Sequence, residues 1–228
     1  MSLLDSVFML LKGIRAVLFD LDGTLVDTFE AFHIMVNDIL EKHGIPKRSF
    51  VENARLVGKT SRTIAETIAR ETSLNMSLEG LSRMMVDEWI YTYMPKHSRL
   101  YPDALDTLRE LRRRGYLLGV VSNTSREELP NYLSSFKIGG FFNITVSAGD
   151  ADKPKPSPEP VLKAVETLNV KPEEAVMVGD RPEDVEAGRA AGTYTVAVLR
   201  SVRPKAELKA VKPDFIVGEL SEILSILC

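Results

Sequence analysis

The sequence predicts an α/β fold: a three-layer, Rossmann-like parallel sheet core carrying an inserted α-helical domain. Three observations lead there. Short apolar runs rich in strand formers recur, and several stop at a polar or glycine-containing turn. Helical patterns separate those runs, which implies parallel β-α units. One long stretch after the first run holds helical patterns and no convincing strand.

The first run, Ile14 to Phe19, opens into Asp20-Leu21-Asp22-Gly23-Thr24. Tyr116 to Val121 ends at Ser122-Asn123-Thr124, and Ala175 to Val178 ends at Gly179-Asp180. Tyr194 to Leu199 and Phe215 to Val217 are further strands, and Asn143 to Ser147 is a weaker one. Between them, Ala104 to Arg114 spaces Leu105, Leu108 and Leu111 on a helix that Gly115 stops. Pro160 to Leu168 and Pro182 to Ala191 read as helices, the latter with acids in its first turn and Gly192 behind it. Sites in such sheets lie outside the carboxyl ends of the strands, where the polar residues just named fall.

Residues 1–27 and 98–228 form the expected core, and 28–97 the helical insertion. The insertion contains amphipathic stretches over Ala31 to His43, Ser61 to Glu71 and Leu78 to Tyr93, with Pro95 and Pro102 marking the return to the core.

At 228 residues with a formal net charge of −3, the chain lacks the basic footprint of a nucleic-acid or anionic-membrane partner. Arg112-Arg113-Arg114 reads as a solvated helix end. One cysteine, Cys228, excludes an intrachain disulfide and a cysteine-based metal site. Met1 to Leu11 is apolar but far shorter than a spanning helix, and reads as a packed lead-in. Cytoplasm is the default compartment, and the oligomeric state stays open.

Asp20 and Asp22 stand two apart at a strand end, so both can reach one cavity. Paired carboxylates attract a hard cation such as Mg²⁺ or share a proton. Taken alone, the pair is equally an ordinary turn. A calcium loop beginning at Asp20 would need a glutamate where Ala31 stands. Ser122 and Asn123 supply groups that hold phosphate oxygens, or else cap a helix. Lys155 sits on a proline-stiffened loop, and could neutralise a phosphate or be a solvated lysine. Asp180 follows a glycine at a strand end. Asp184 falls at a helix start, where an acid is also a structural choice.

Together, Asp20-Leu21-Asp22-Gly23-Thr24-Leu25, Ser122-Asn123-Thr124, Lys155-Pro156-x-Pro158 and Gly179-Asp180-x-x-x-Asp184 resemble the four signature motifs of the haloacid dehalogenase superfamily. The helical block after the first motif is similar to the cap domain of the subgroup that includes phosphoglycolate phosphatases and β-phosphoglucomutases. The resemblance implies that Asp20 is a nucleophile forming an aspartyl-phosphate and Asp22 the acid–base partner. It implies Mg²⁺ on Asp20, Asp22 (through its main-chain carbonyl) and Asp180, with Asp184 and Thr24 in support. Ser122, Asn123 and Lys155 would hold the phosphoryl group. Lys153-Pro154 offers the same lysine-proline pattern; Lys155 is preferred because Ser157-Pro158-Glu159 continues into a helix.

Asp22 argues against a dehalogenase, and Phe32, with His33 one place late for the mutase histidine, makes a mutase less favoured. The expected activity is hydrolysis of a small phosphorylated metabolite. A sugar phosphomutase and a pyrophosphatase or nucleotide phosphatase are the alternatives. In the insertion, Gly58-Lys59-Thr60-Ser61-Arg62 is the candidate substrate loop, with Lys59 and Arg62 either touching substrate or solvated. Trp89, Tyr91 and Tyr93 are expected to pack in a core rather than meet a ligand.

Overall fold

The computed structural model describes residues 10–72, 74–200 and 205–227. The lead-in expected over Met1 to Leu11 lies outside these except for its last two residues, and Cys228 lies outside them too. The strands are β1 (Ala16–Phe19), β2 (Val26–Asp27), β3 (Arg99–Leu100), β4 (Leu117–Ser125), β5 (Ile144–Ala148), β6 (Ala175–Gly179), β7 (Tyr194–Val198) and β8 (Phe215–Val217). Six of them form one parallel sheet in the order β5-β4-β1-β6-β7-β8. β2 and β3 pair antiparallel, Val26 with Leu100 and Asp27 with Arg99, so the chain leaves and re-enters the core side by side.

Between β2 and β3 lie α1 (Phe29–Lys42), α2 (Phe50–Ala54), α3 (Ser61–Glu71), α4 (Leu78–Glu88) and α5 (Met94–His97). The core adds α6 (Ala104–Arg113), α7 (Glu128–Ser135), α8 (Glu159–Thr167), α9 (Pro182–Ala191), α10 (Lys205–Ala210) and α11 (Ile223–Ile226). β1 shows why a near-continuous apolar run becomes a central strand. Ala16 and Leu18 pack on the face that α8 and α9 cover, while Val17 and Phe19 pack on the other face with Leu108 and Leu111 of α6. Leu108 and Leu111 are wholly buried, and each such side chain contributes about 1.5–3 kcal/mol through burial. α9 starts on Pro182 and ends at Gly192, whose φ of +84° suits a residue without Cβ.

Two elements differ from the sequence expectation. β4 does not stop at Val121 but runs to Ser125, with an irregularity against β5 between those residues. Pro95 does not end the helical block, because α5 carries the chain through it to His97. A proline lacks an N–H and crowds the carbonyl four residues back, here that of Tyr91. Trp89–Tyr93 accommodates it as a π-helical turn, in which the Met94 N–H reaches the Trp89 carbonyl five residues back.

The register aligns the site. Phe19 lies opposite Val120 of β4 and Val178 of β6. The residues that follow Phe19, Val121 and Gly179 therefore come nearly level, presenting Asp20, Ser122 (still within β4) and Asp180 at the crevice where connections turn to opposite sides of β1.

Candidate active site

Asp20 is buried at the end of β1, its N–H donating to the Val178 carbonyl at 2.9 Å. Lys155 Nζ donates to Asp20 Oδ1 at 2.7 Å, to Asp184 Oδ1 at 2.6 Å and to the Val121 carbonyl at 2.6 Å. All three ammonium donors are thus used. Burial alone would lower the Lys155 pKa; the carboxylates of Asp184 and Asp20 outweigh it and push it up to about 12. The competing Lys153 uses its backbone N–H on Glu159 Oε2 and is exposed. The Lys155–Pro156 peptide bond is cis.

Asp20, Asp180 and Asp184 each offer a carboxylate oxygen within 4.8 Å of the others. Burial raises the pKa of all three: Asp180 well above its ordinary value, with the charges of Asp20 and Asp184 adding, and Asp184 to about 6. Asp20 Oδ2 and Asp180 Oδ2 are buried without a hydrogen-bond partner. Orphaned carboxylate oxygens of this kind are costly unless a cation meets them. One ammonium among three buried carboxylates leaves negative charge over, and an all-oxygen donor set suits a hard divalent cation. Thr24 Oγ1 donates to Asp180 Oδ1 at 3.3 Å. Gly23 lies at φ +85°, and a Cβ there would come within 2.6 Å of Asp180 Oδ2, so glycine is needed twice over. Asp184 also accepts from the Arg181 N–H at 3.1 Å, closing the first turn of α9.

The Asp22 side chain is not part of that cluster. Its Oδ2 accepts from Thr124 Oγ1 at 3.1 Å and its Oδ1 from Tyr132 Oη at 2.6 Å. Burial raises its pKa against the lowering effect of the Tyr132, Thr28 and Thr124 hydroxyls. Ser122 Oγ accepts from the Thr124 N–H at 3.1 Å and donates to Thr124 Oγ1 at 2.9 Å. Asn123 holds the lysine loop: its Oδ1 accepts from the Lys155 N–H at 3.0 Å and its Nδ2 donates to the Lys155 carbonyl at 3.1 Å. The same Nδ2 lies 3.3 Å from the Gly58 carbonyl of the helical insertion.

A cavity of ≈ 40 Å³ lies between insertion and core, bounded by Asp22, Thr124 and Glu128 below and by Lys59 and Trp89 above. That volume holds a few waters. Phe32, Met35, Val57, Ile64, Met85 and Val86 make most of the remaining wall. Among the described residues, Lys59 is the one cation lining it. Arg62 is not brought there: its side chain is exposed and donates to Glu66 on α3 at 2.9 Å. Trp89 packs in the core as expected, and it also lines the cavity and donates from Nε1 to Tyr132 Oη at 2.8 Å. Tyr93 is buried and bonds Asp38, whereas Tyr91 is exposed.

Three residues escaped the motif reading. Tyr132 and Glu128 come from α7, a short helix with Pro130 in its first turn. Glu128 Oε2 accepts from Ser61 Oγ at 3.1 Å and from the Ser125 N–H at 3.0 Å, linking insertion to core. Arg181 is buried against Gly58, where a Cβ would come within 2.8 Å of its Cδ. The arginine directly after Asp180 was the available sequence signal.

A family model described as haloacid dehalogenase-like hydrolase matches residues 17–198. A pyrophosphatase PpaX of Bacillus cereus (strain B4264) is 34% identical over 221 residues, covering 94% of this chain and 96% of that protein. Among solved structures, a predicted phosphoglycolate phosphatase from Haemophilus somnus 129PT superposes with a TM-score of 0.83 at 24% identity, covering 94% of this chain and 98% of the other. A predicted phosphatase from Clostridium acetobutylicum gives 0.75 at 25% identity, covering 92% and 96%. Among the described residues, no helix is long and apolar enough to cross a membrane.

Proposed function

The chain belongs to the haloacid dehalogenase-like hydrolases, and within them we propose a Mg²⁺-dependent phosphatase that hydrolyses a small phosphomonoester through an aspartyl-phosphate on Asp20. Residues 28–97 act as its cap and residues 1–27 and 98–228 as its catalytic core. The observation that carries this reading is the division of labour between the two aspartates. Lys155 fixes one oxygen of Asp20 and leaves Oδ2 buried and unpartnered beside the acidic cluster, while Asp22 is held apart from that cluster by hydroxyl donors.

Phosphoryl transfer depends on positioning and charge neutralisation. Asp20 Oδ2 attacks phosphorus as the bond to the bridging oxygen breaks, and Asp22 delivers a proton to that oxygen, so the alcohol leaves neutral. Asp22, now a carboxylate, takes a proton from water as the water oxygen attacks the aspartyl-phosphate. The Asp20–phosphorus bond breaks and phosphate leaves. The Asn123 backbone and Ser122 line the transferring group, and Lys155, its three donors committed to Asp20, Asp184 and the Val121 carbonyl, offsets its charge as a fixed positive pole. Asp20, Asp180 and the Asp22 carbonyl, with Asp184 in support, would hold Mg²⁺, which would supply charge neutralisation at the phosphoryl oxygens.

Two observations sort the alternatives. His33 faces away from the cavity, its ring nitrogens near Asn37 and Asn53, and Phe32 lines the wall instead, which supports hydrolysis over phosphoryl transfer to a sugar. The relatives named pyrophosphatase favour an anhydride substrate. Against that, a departing phosphate would lie among apolar side chains and two acids, with Lys59 alone among the described lining residues to meet its charge. The test is Mg²⁺-dependent turnover of a panel of phosphomonoesters and pyrophosphate by the wild type and Asp20→Asn. Loss of turnover in a variant that still folds, as its circular dichroism spectrum reads, is expected; retained turnover would overturn the covalent mechanism.

A further inference from the structure

We propose that Tyr132, with Trp89 behind it, is the positioning residue that aims the proton-transfer face of Asp22 at the leaving group. The inference rests on the phosphatase reading above. Its ground is a hydrogen-bonded chain whose direction chemistry fixes. The indole N–H of Trp89 can only donate, and it donates to Tyr132 Oη at 2.8 Å. Tyr132 therefore turns its own proton toward Asp22 Oδ1, 2.6 Å away. The reverse arrangement, with Asp22 donating to the phenol, would leave the buried phenolic proton without an acceptor, which is costly away from water. All three side chains are buried.

The other carboxylate oxygen is committed in the same sense. The Thr124 N–H donates to Ser122 Oγ, the Ser122 hydroxyl to Thr124 Oγ1, and the Thr124 hydroxyl to Asp22 Oδ2. Each carboxylate oxygen has two lone-pair directions. One on each is now occupied by a fixed donor, so the proton Asp22 gives to the leaving oxygen is carried on a direction left open. The same two donors keep the Asp22 carboxyl from joining Asp20, Asp180 and Asp184, the groups that could hold a metal. A carboxylate drawn onto a cation would be lost as a proton donor.

The two ends of the chain come from different parts of the molecule. Tyr132 belongs to the core helix α7, and Trp89 opens the π-helical turn of the cap. Trp89 is held by packing edge-on to Phe32, with ring centroids 6.1 Å apart. The hydroxyl of Tyr132 is thus oriented only while the cap sits on the core, and the aim of Asp22 becomes a consequence of cap closure.

A purely structural role and a role in aiming the proton differ in one measurable respect. Proton delivery matters more as the leaving alcohol becomes more basic, whereas loss of folded protein lowers all rates equally. The experiment measures kcat/KM, which runs through departure of the leaving group, for a series of substituted phenyl phosphates from nitrophenyl to unsubstituted phenyl. Tyr132→Phe removes one oxygen, and Trp89→Phe keeps an aromatic ring while removing the N–H. For Tyr132→Phe we expect a loss of about 10- to 100-fold on phenyl phosphate and a much smaller one on the nitrophenyl ester. The plot of log kcat/KM against leaving-group pKa becomes steeper, and Trp89→Phe steepens it less. Parallel plots for wild type and variants, whether displaced or superimposed, overturn the proposal. Should Tyr132→Phe fail to fold, the slope for Trp89→Phe decides alone. A wild type that hydrolyses none of the series overturns the phosphatase reading itself, which parallel plots leave intact.

Discussion

Lys155 Nζ lies 2.7 Å from Asp20 Oδ1, and both side chains are almost wholly withdrawn from solvent. The ammonium is equally committed to Asp184 and to the Val121 carbonyl. It is therefore a fixed pole, not a mobile counter-ion. It orients the Asp20 carboxylate and offsets the repulsion among the neighbouring acids at the same time.

Removing that pole leaves buried carboxylates without their counter-charge. Breaking one side of a buried ion pair costs about 3–5 kcal/mol, so Lys155→Met is expected to lower stability by about that much in urea titrations of the metal-free protein. Lys155→Arg is not a rescue, because a planar guanidinium cannot reproduce three bonds converging on one nitrogen. An unchanged urea midpoint for Lys155→Met would remove the electrostatic account.

The acidic cluster sets a second expectation. Burial raises the folded-state pKa values of Asp180 and Asp20, and that of Asp184 to about 6. Between the ordinary carboxyl value of about 3.9 and these raised values, the native state binds more protons than the unfolded chain. The slope of stability against pH is then negative, so stability falls as pH rises through that window. Lys155 has the opposite linkage: raised to about 12, it contributes stability that is fully present below its unfolded pKa and lost only near that higher value. Without divalent cation the thermal midpoint should fall from about pH 5 to about pH 7. Mg²⁺ binds the deprotonated acids, so it should raise the midpoint more at the upper pH. Scanning calorimetry with EDTA or Mg²⁺ checks both, and a midpoint that Mg²⁺ leaves unmoved at either pH overturns the expectation.

What the sequence made legible follows from locality. Asp20 and Asp180 each follow an apolar strand run, and parallel register brings those strand ends level without further information. Lys155 announced itself by its prolines. Tyr132 could not be found this way: it meets Asp22 across 110 positions and comes from a helix too short to show a clear period. Lys59 and Arg62 looked alike as cations in one loop, yet Arg62 already belongs to α3 and takes a direction set by helical rotation, toward Glu66. The alternation of Trp89, Tyr91 and Tyr93 does not tell which of them face the core, because the π-helical turn that sorts them, just before Pro95, leaves no trace in the helical period.

Glu128 gives the last expectation, on substrate charge. Its carboxylate lines the leaving-group side of the cavity near Asp22 and accepts from Ser61 Oγ and the Ser125 N–H. A negatively charged leaving group must approach this acid inside a largely apolar wall, where little solvent screens the repulsion. Glu128→Gln removes the charge while its carbonyl oxygen can still accept from the same donors. The variant is therefore expected to gain on pyrophosphate relative to a neutral-alcohol ester such as phenyl phosphate, by about tenfold in the ratio of kcat/KM values if the repulsion is worth about 1.4 kcal/mol. Competition between the two substrates in one assay reads that ratio directly. A ratio unchanged by Glu128→Gln would show that Glu128 serves only to tie Ser61 to the core, and that the charge of the leaving group is judged elsewhere.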